Sequence, residues 1–162
     1  MAIKKTGFSA NYRKYKDKIF NYFYYRLNFN RALAEDLTSE VFLKAFDKFS
    51  SFDQTRPFQA WIYAIARNHL LNHYRDAKSE LELEAAGQLA GLDCERMQTS
   101  LECERVIGLI RQMEAHHREV LLLRFVDGLD NDEIASLLDK DNGAVRTQIS
   151  RALKILRANI QT

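Results

Sequence analysis

With 162 residues, 46% of them hydrophobic, the chain can bury one ordinary core or two small ones, and no run approaches the roughly 20 apolar residues that span a bilayer. Its formal charge of +2 conceals a segregation: residues 1–78 carry 14 Lys and Arg against 7 Asp and Glu, residues 79–104 carry 1 against 7, and residues 105–162 carry 9 against 8. Two basic parts joined by an acidic one suggest a polyanion gripped at two places, and two cysteines are too few for a disulfide framework.

The N-terminus, MAIKKTGFSANYRKYK, lacks the apolar core of a signal peptide, so the expected location is cytoplasmic, without membrane insertion. A helical pattern begins after Ser9, basic outside and aromatic inside, with Tyr15, Ile19, Tyr22, Phe23 and Leu27 on the buried side. Asn30 is placed to cap a second helix, in which Leu33, Leu37, Val41, Ala45 and Phe49 form a four-residue ladder. The other face of that helix shows Glu35, Asp36, Ser39, Glu40 and Lys44, a pattern that by itself implies only solvation.

The third helix is expected to start near Pro57, where a missing N–H costs nothing and a fixed φ suits a first helical turn, and to end near Asp76. Phe58, Ile62, Ile65, Ala66 and His69 form its core stripe, while Tyr63, Arg67 and Tyr74 share another face. Rings beside guanidinium groups suit unpaired bases, since rings stack on base faces and arginine meets phosphate. From periodicity alone the plainer account is a core helix with snorkelling arginines.

The succession DLTSEVFLKAF followed by FSSFDQTRPFQAWIYAIARNHLLNHYRD closely resembles the second conserved region of bacterial extracytoplasmic-function sigma factors. In that family the first segment docks on the clamp helices of the largest catalytic subunit of RNA polymerase, and the second holds the melted minus-ten promoter element. The resemblance implies a polymerase-binding surface from Asp36, Leu37, Thr38, Glu40, Phe42 and Lys44. It makes the loop over residues 52–59 a pocket for a flipped non-template base, with Phe52, Asp53, Gln54, Arg56, Phe58, Trp61, Tyr63, Arg67, Asn68 and Arg75 as minus-ten contacts. Flipping fits the physics, because a base must leave the stack before a protein can read its pairing edge.

Residues 79–100 have no sustained amphipathic period and read as an acidic linker. The family's corresponding segment threads the RNA-exit channel and active-site cleft, so the acidic side chains, Glu80, Glu82 and Glu84 among them, could mimic transcript phosphate; a solvated linker explains the same charge. Cys94 and Cys103, with His116 and His117, match no standard zinc spacing, which makes reduced bystanders the plainer reading over a redox pair or metal site.

Helices resume near Leu101, with Val106, Ile107, Ile110 and Met113 inward, and near Ala115, the latter ending at Gly128. Asp130 and Glu133 stand at capping-box spacing before a short helix, and Asp141 caps the last one, whose inner face is Val145, Ile149, Ala152, Leu153 and Leu156. Short helix, tight turn and basic helix make a helix-turn-helix, whose second helix enters the major groove. Arg146, Thr147, Ser150 and Arg151 then point outward to bases or phosphates, with Lys154 and Arg157 farther along toward the backbone.

This segment resembles the fourth conserved region of the same family, which reads the minus-thirty-five element; Arg146, Thr147, Ser150, Arg151 and Lys154 are the implied contacts. Two departures stand out. Asp139 and Lys140 occupy turn positions where the family usually has glycine and an apolar residue, and Gln148 and Ser150 replace commoner basic or aromatic residues.

The expected architecture is all-α: a region 2 helical bundle over residues 1–78, the acidic linker over 79–100, and a region 4 helix-turn-helix domain over 101–162. The implied function is that of an alternative sigma factor, without catalytic residues, cofactor or metal. Its implied partners are core RNA polymerase, through the clamp and the flap region of the second subunit, promoter DNA and an anti-sigma factor. The alternatives are a stand-alone helix-turn-helix regulator, or a metal or redox protein using His69 and His73, four apart on one helical face, or the cysteines.

Overall fold

The computed structural model describes residues 2–81 and 101–162, all of whose regular elements are helical. The expected acidic linker falls almost wholly outside the described residues, with Glu82, Glu84 and Cys94; the side chains of Glu80 and Cys103 fall outside them as well. The chain divides into two compact units. Among the described residues no helix is long and apolar enough to cross a membrane.

The first unit holds α1 (Ala2–Arg26), α2 (Arg31–Lys48), a 3-10 turn (Phe49–Ser51) and α3 (Phe58–Leu81). Helix α1 begins earlier than its amphipathic pattern, and packing supplies the reason. Phe8 is buried, its ring edge-on to Phe42, Phe46 and Phe49 at 6.4, 5.1 and 5.4 Å. Farther along, Ile19, Tyr22 and Phe23 are fully buried, as the pattern predicts, and Tyr24 and Tyr25 join them.

The turn into α2 takes two left-handed residues, Asn28 (φ 57°) and Phe29 (φ 58°). That conformation is costly for a side chain as large as phenylalanine, but the Phe29 amide bonds the Tyr24 carbonyl at 3.0 Å and its ring packs edge-on against Tyr24 and Tyr25. Asn30 then caps α2 as expected, its side chain accepting the Leu33 amide at 3.1 Å. In α3 the first i→i−4 bond runs from the Trp61 amide to the Pro57 carbonyl, so Pro57 stands just before the helix. The helix continues five residues past the expected stop at Asp76, through AKSEL, which contains no breaker.

The second unit holds α4 (Leu101–Gln112), α5 (Ala115–Leu121), a π-helical turn (Leu122–Val126), α6 (Asn131–Leu138) and α7 (Asn142–Gln161). Its core is Ile107 and Ile110 from α4, Met113 just after it, the run Val120–Leu123, Leu129, Ile134, and Val145, Ala152 and Leu156 from α7. Four consecutive buried residues cannot share one face of an α-helix. The chain widens there instead: the Asp127 amide reaches back five residues to the Leu122 carbonyl at 2.9 Å, and Gly128 at φ 75° lets the Leu129 amide close on Leu123 at 3.0 Å.

The capping box of α6 is complete: Asp130 accepts the Glu133 amide at 2.8 Å while Glu133 accepts the Asp130 amide at 2.9 Å. Asp141 caps α7 through the Ala144 amide at 2.7 Å.

Candidate nucleic-acid interface

On α2, Asp36, Glu40 and Lys44 are exposed on one face, while Leu37, Thr38 and Phe42 are not. The last three are buried at 5%, 9% and 4% exposure, and Thr38 donates its hydroxyl to the Ala34 carbonyl at 2.6 Å. Of the expected polymerase-facing set, these three lie beneath the exposed face, Phe42 with its ring edge-on to Phe8 and Tyr12 of α1. Sequence reasoning passed over Leu43, a large apolar side chain 66% exposed at the edge of that charged face, beside Asp36 and Glu40.

His69 joins this face to α3. Lysine has no acceptor, so Lys44 Nζ must donate to His69 Nδ1, at 2.9 Å, which leaves the proton on Nε2 to be donated to Glu40. Both ring nitrogens are thus occupied, which argues against His69 and His73 as paired metal ligands. Asp36, Glu40, Lys44, His69 and Arg75 line one cleft of about 610 Å³, so a residue expected at DNA and residues expected at polymerase share a wall.

The loop before α3 is tied by Asp53, whose Oδ1 accepts the Thr55 hydroxyl at 2.6 Å and the Thr55 amide at 3.0 Å. Those two bonds hold the Asp53 carboxyl below its ordinary value. Under the loop, Phe52 leans on Trp61 with centroids 4.6 Å apart and a 33° tilt, and stacks on Phe49 at 5.9 Å. Of the expected minus-ten contacts, Asp53, Gln54, Arg56, Asn68 and Arg75 are exposed; Phe52, Trp61 and Arg67 are half-buried.

Phe58 and Tyr63 lie deeper than the rest of that set. Phe58 is 8% exposed and packs on Tyr15 at 5.3 Å; Tyr63 is fully buried, edge-on to Tyr22 at 5.6 Å. The inner stripe of α3 is wider than the repeat suggested, taking in Ile62, Tyr63, Ala66 and Leu70, so Tyr63 offers no face to a base. Tyr74 is 41% exposed, with its hydroxyl donated to the Arg26 carbonyl at 2.9 Å.

In the second unit, Arg146, Thr147, Ser150, Arg151, Lys154 and Arg157 are all exposed on α7. All but Lys154 line a groove of about 930 Å³, and sequence reasoning missed two more of its walls, Arg124 and Asn131. Arg124 projects from the π-helical turn and is steadied by a bond to the Leu129 carbonyl at 3.3 Å. No periodic signal marks it, because the turn itself breaks the period.

The two departures in the turn meet each other. Asp139 sits at φ 54°, ψ 50°, the left-handed conformation that explains a glycine preference, and the Lys140 amide reaches the Ala135 carbonyl at 2.9 Å. Lys140 Nζ then donates to Gln148 Oε1 at 2.9 Å, while Gln148 Nε2 donates to the His116 carbonyl at 2.9 Å. Gln148 therefore braces α7 against the turn and α5, with both ends of its amide occupied.

Comparison with known proteins agrees with this division. Residues 12–80 match the family described as Sigma-70 region 2, and residues 103–156 the family described as Sigma-70, region 4. The ECF RNA polymerase sigma factor BldN of Streptomyces coelicolor is 34% identical over 161 residues, spanning 96% of this chain but 61% of BldN, so the chain covers about three fifths of that relative. The ECF RNA polymerase sigma factor SigW of Bacillus subtilis is 33% identical over 160 residues, covering 91% of this chain and 85% of SigW. The fold is shared with the sigma factor RpoE of Bartonella quintana, solved in complex with the anti-sigma factor NepR: TM-score 0.78 at 18% identity, over 96% of this chain and 98% of that one. With two family regions in order and a 33% identical relative covered over 85% of its length, the chain belongs to the ECF subfamily of the sigma-70 family.

Proposed function

We propose that this chain is an alternative sigma factor that carries core RNA polymerase to a restricted set of promoters, by binding alone and without catalytic chemistry of its own. The observation that carries the reading is the presence, in one chain, of an exposed cationic recognition helix and a separate helical unit with a charged face, edged by an exposed leucine, beside an aromatic loop. Asp36, Glu40 and Lys44, with Leu43 beside them, form the surface for the polymerase clamp; the flap region of the second subunit is the expected second contact. Arg146, Thr147, Ser150 and Arg151 read the minus-thirty-five duplex, and Lys154 and Arg157 hold its backbone.

The loop over residues 52–57, with Trp61, Arg67, Asn68 and Arg75, receives melted minus-ten strand. Stacking of about 1–3 kcal/mol per base is of the size needed to offset the few kcal/mol that each unpaired step costs, so opening needs no nucleotide hydrolysis. The working division is residues 1–78 and 101–162, joined by 79–100, acting in the cytoplasm and at the nucleoid once in holoenzyme. The complex of RpoE with NepR supports an anti-sigma partner for this chain too.

The test is abortive transcription by purified core polymerase from the same source, with and without the chain, on a library of promoter fragments. Initiation from a sequence-restricted subset is the expected result. Tight duplex binding by the chain alone, with no initiation, would put a stand-alone regulator in its place.

A further inference from the structure

Beside the α7 surface assigned above, three metal-ligating side chains meet at the start of α5. Glu114, His116 and His117 each offer one donor atom, and the three atoms lie within 4.8 Å of one another. Adjacent histidines are an unpromising pair on a regular helix, where neighbours diverge by about 100°. Here they occupy the first turn of the helix, and their ring centroids are 3.9 Å apart.

The three donors have little competing work among the described residues. Glu114 stands at the N-cap, yet its carboxylate makes no capping bond: the amides of His117 and Arg118 go to its carbonyl instead, at 3.0 and 2.9 Å. The carboxylate lies 3.5 Å from His116 Nδ1. His117 Nδ1 is buried without a hydrogen-bond partner, a condition that costs free energy unless something binds the lone pair or the proton.

We propose that Glu114, His116 and His117 bind a divalent transition metal, Zn²⁺ or its neighbours Co²⁺ and Ni²⁺. Two imidazoles and a carboxylate are a known zinc donor set that leaves a fourth position for water, whereas Mg²⁺ and Ca²⁺ favour all-oxygen shells. Bonds of about 2.0–2.2 Å to one ion need the donors somewhat closer than they stand, and the exposed side chains of Glu114 and His116 are free to rotate inward. The site lies on the seam with the recognition helix, since the His116 carbonyl accepts Gln148, and the adjoining crevice of about 540 Å³ is also lined by Lys140, Arg151 and Asp141. Two cations against one carboxylate oppose the ion on balance, so binding is weaker than at a closed structural zinc site.

Titration of Co²⁺ into the full chain, followed by its visible absorption and by displacement with Zn²⁺, tests the site. One equivalent is expected to bind, with no thiolate-to-cobalt charge-transfer band. Glu114→Gln is expected to weaken binding at least about tenfold, and His116→Ala to weaken it further, with unchanged circular dichroism because both side chains are exposed. Absence of binding, equal binding by both variants and the unmodified chain, or a thiolate band would each overturn the proposal. None of these outcomes bears on transcription, so the sigma-factor reading stands or falls separately.

Discussion

Asp139 holds a left-handed conformation that costs a residue with a β-carbon roughly 1–2 kcal/mol, at the lower end for aspartate. Glycine would relieve that strain, less the roughly 0.5–1 kcal/mol by which its greater freedom favours the unfolded chain. Asp139→Gly should therefore stabilise by up to about 1 kcal/mol, read as a rise of a few degrees in the Tm of the second unit. A fall in Tm would mean that the carboxylate itself holds the turn. At Asp53 the effect is one of charge. Bonds from the Thr55 hydroxyl and then the Thr55 amide lower its pKa from the ordinary 3.8, so the turn is favoured while the group is ionised. That contribution is complete above 3.8 and fades as pH falls through the lower folded value. An NMR titration of the Thr55 amide should accordingly show a midpoint below 3.8, and Thr55→Val should move the Asp53 carboxyl back toward it; a midpoint above 3.8 in the unaltered chain would contradict the bonding.

At the scale of elements, α3 divides by burial more than by residue type. Tyr63→Ala should cost roughly 3–5 kcal/mol in chemical denaturation, as for other buried aromatic rings, whereas Tyr74→Ala should stay within about 1 kcal/mol. Similar values for both would mean that Tyr63 is less enclosed than its packing on Tyr22 implies. This contrast also marks what the sequence could convey. Asn30, Asp130 with Glu133, and Asp141 were readable as caps because a cap is a local code, decided within four residues. The side of α3 on which Tyr63 lies was not, since an aromatic next to the core stripe fits a base-stacking face and a wider core equally well. The early start of α1 depends on Phe8 finding Phe42, Phe46 and Phe49, which are distant in the chain. The π-helical turn has no residue signature of its own, and it carries Arg124, one of the two groove residues that sequence reasoning missed.

At the scale of the whole molecule, each unit carries its own core, so a surface change in one should leave the other folded and active. Asp36→Arg should abolish association with core polymerase while leaving the helical circular dichroism and Tm unchanged, because the side chain is exposed; unchanged affinity would remove Asp36 from the contact. On the DNA side, Arg146→Ala or Arg151→Ala should cost about 1–3 kcal/mol on cognate promoter and relax sequence choice, whereas Lys154→Ala should weaken cognate and scrambled sites alike. Equal losses on both sites for all three would count against base reading by this helix. One joint ties α2 to α3. Glu40 and Lys44 each bond the same imidazole of α3 in the free protein. An ammonium has three donors and a carboxylate has more than one acceptor site, so under the proposed assignment the polymerase and His69 can hold the same two side chains at once, and a clamp seated there stays joined through one imidazole to the helix that receives the melted strand.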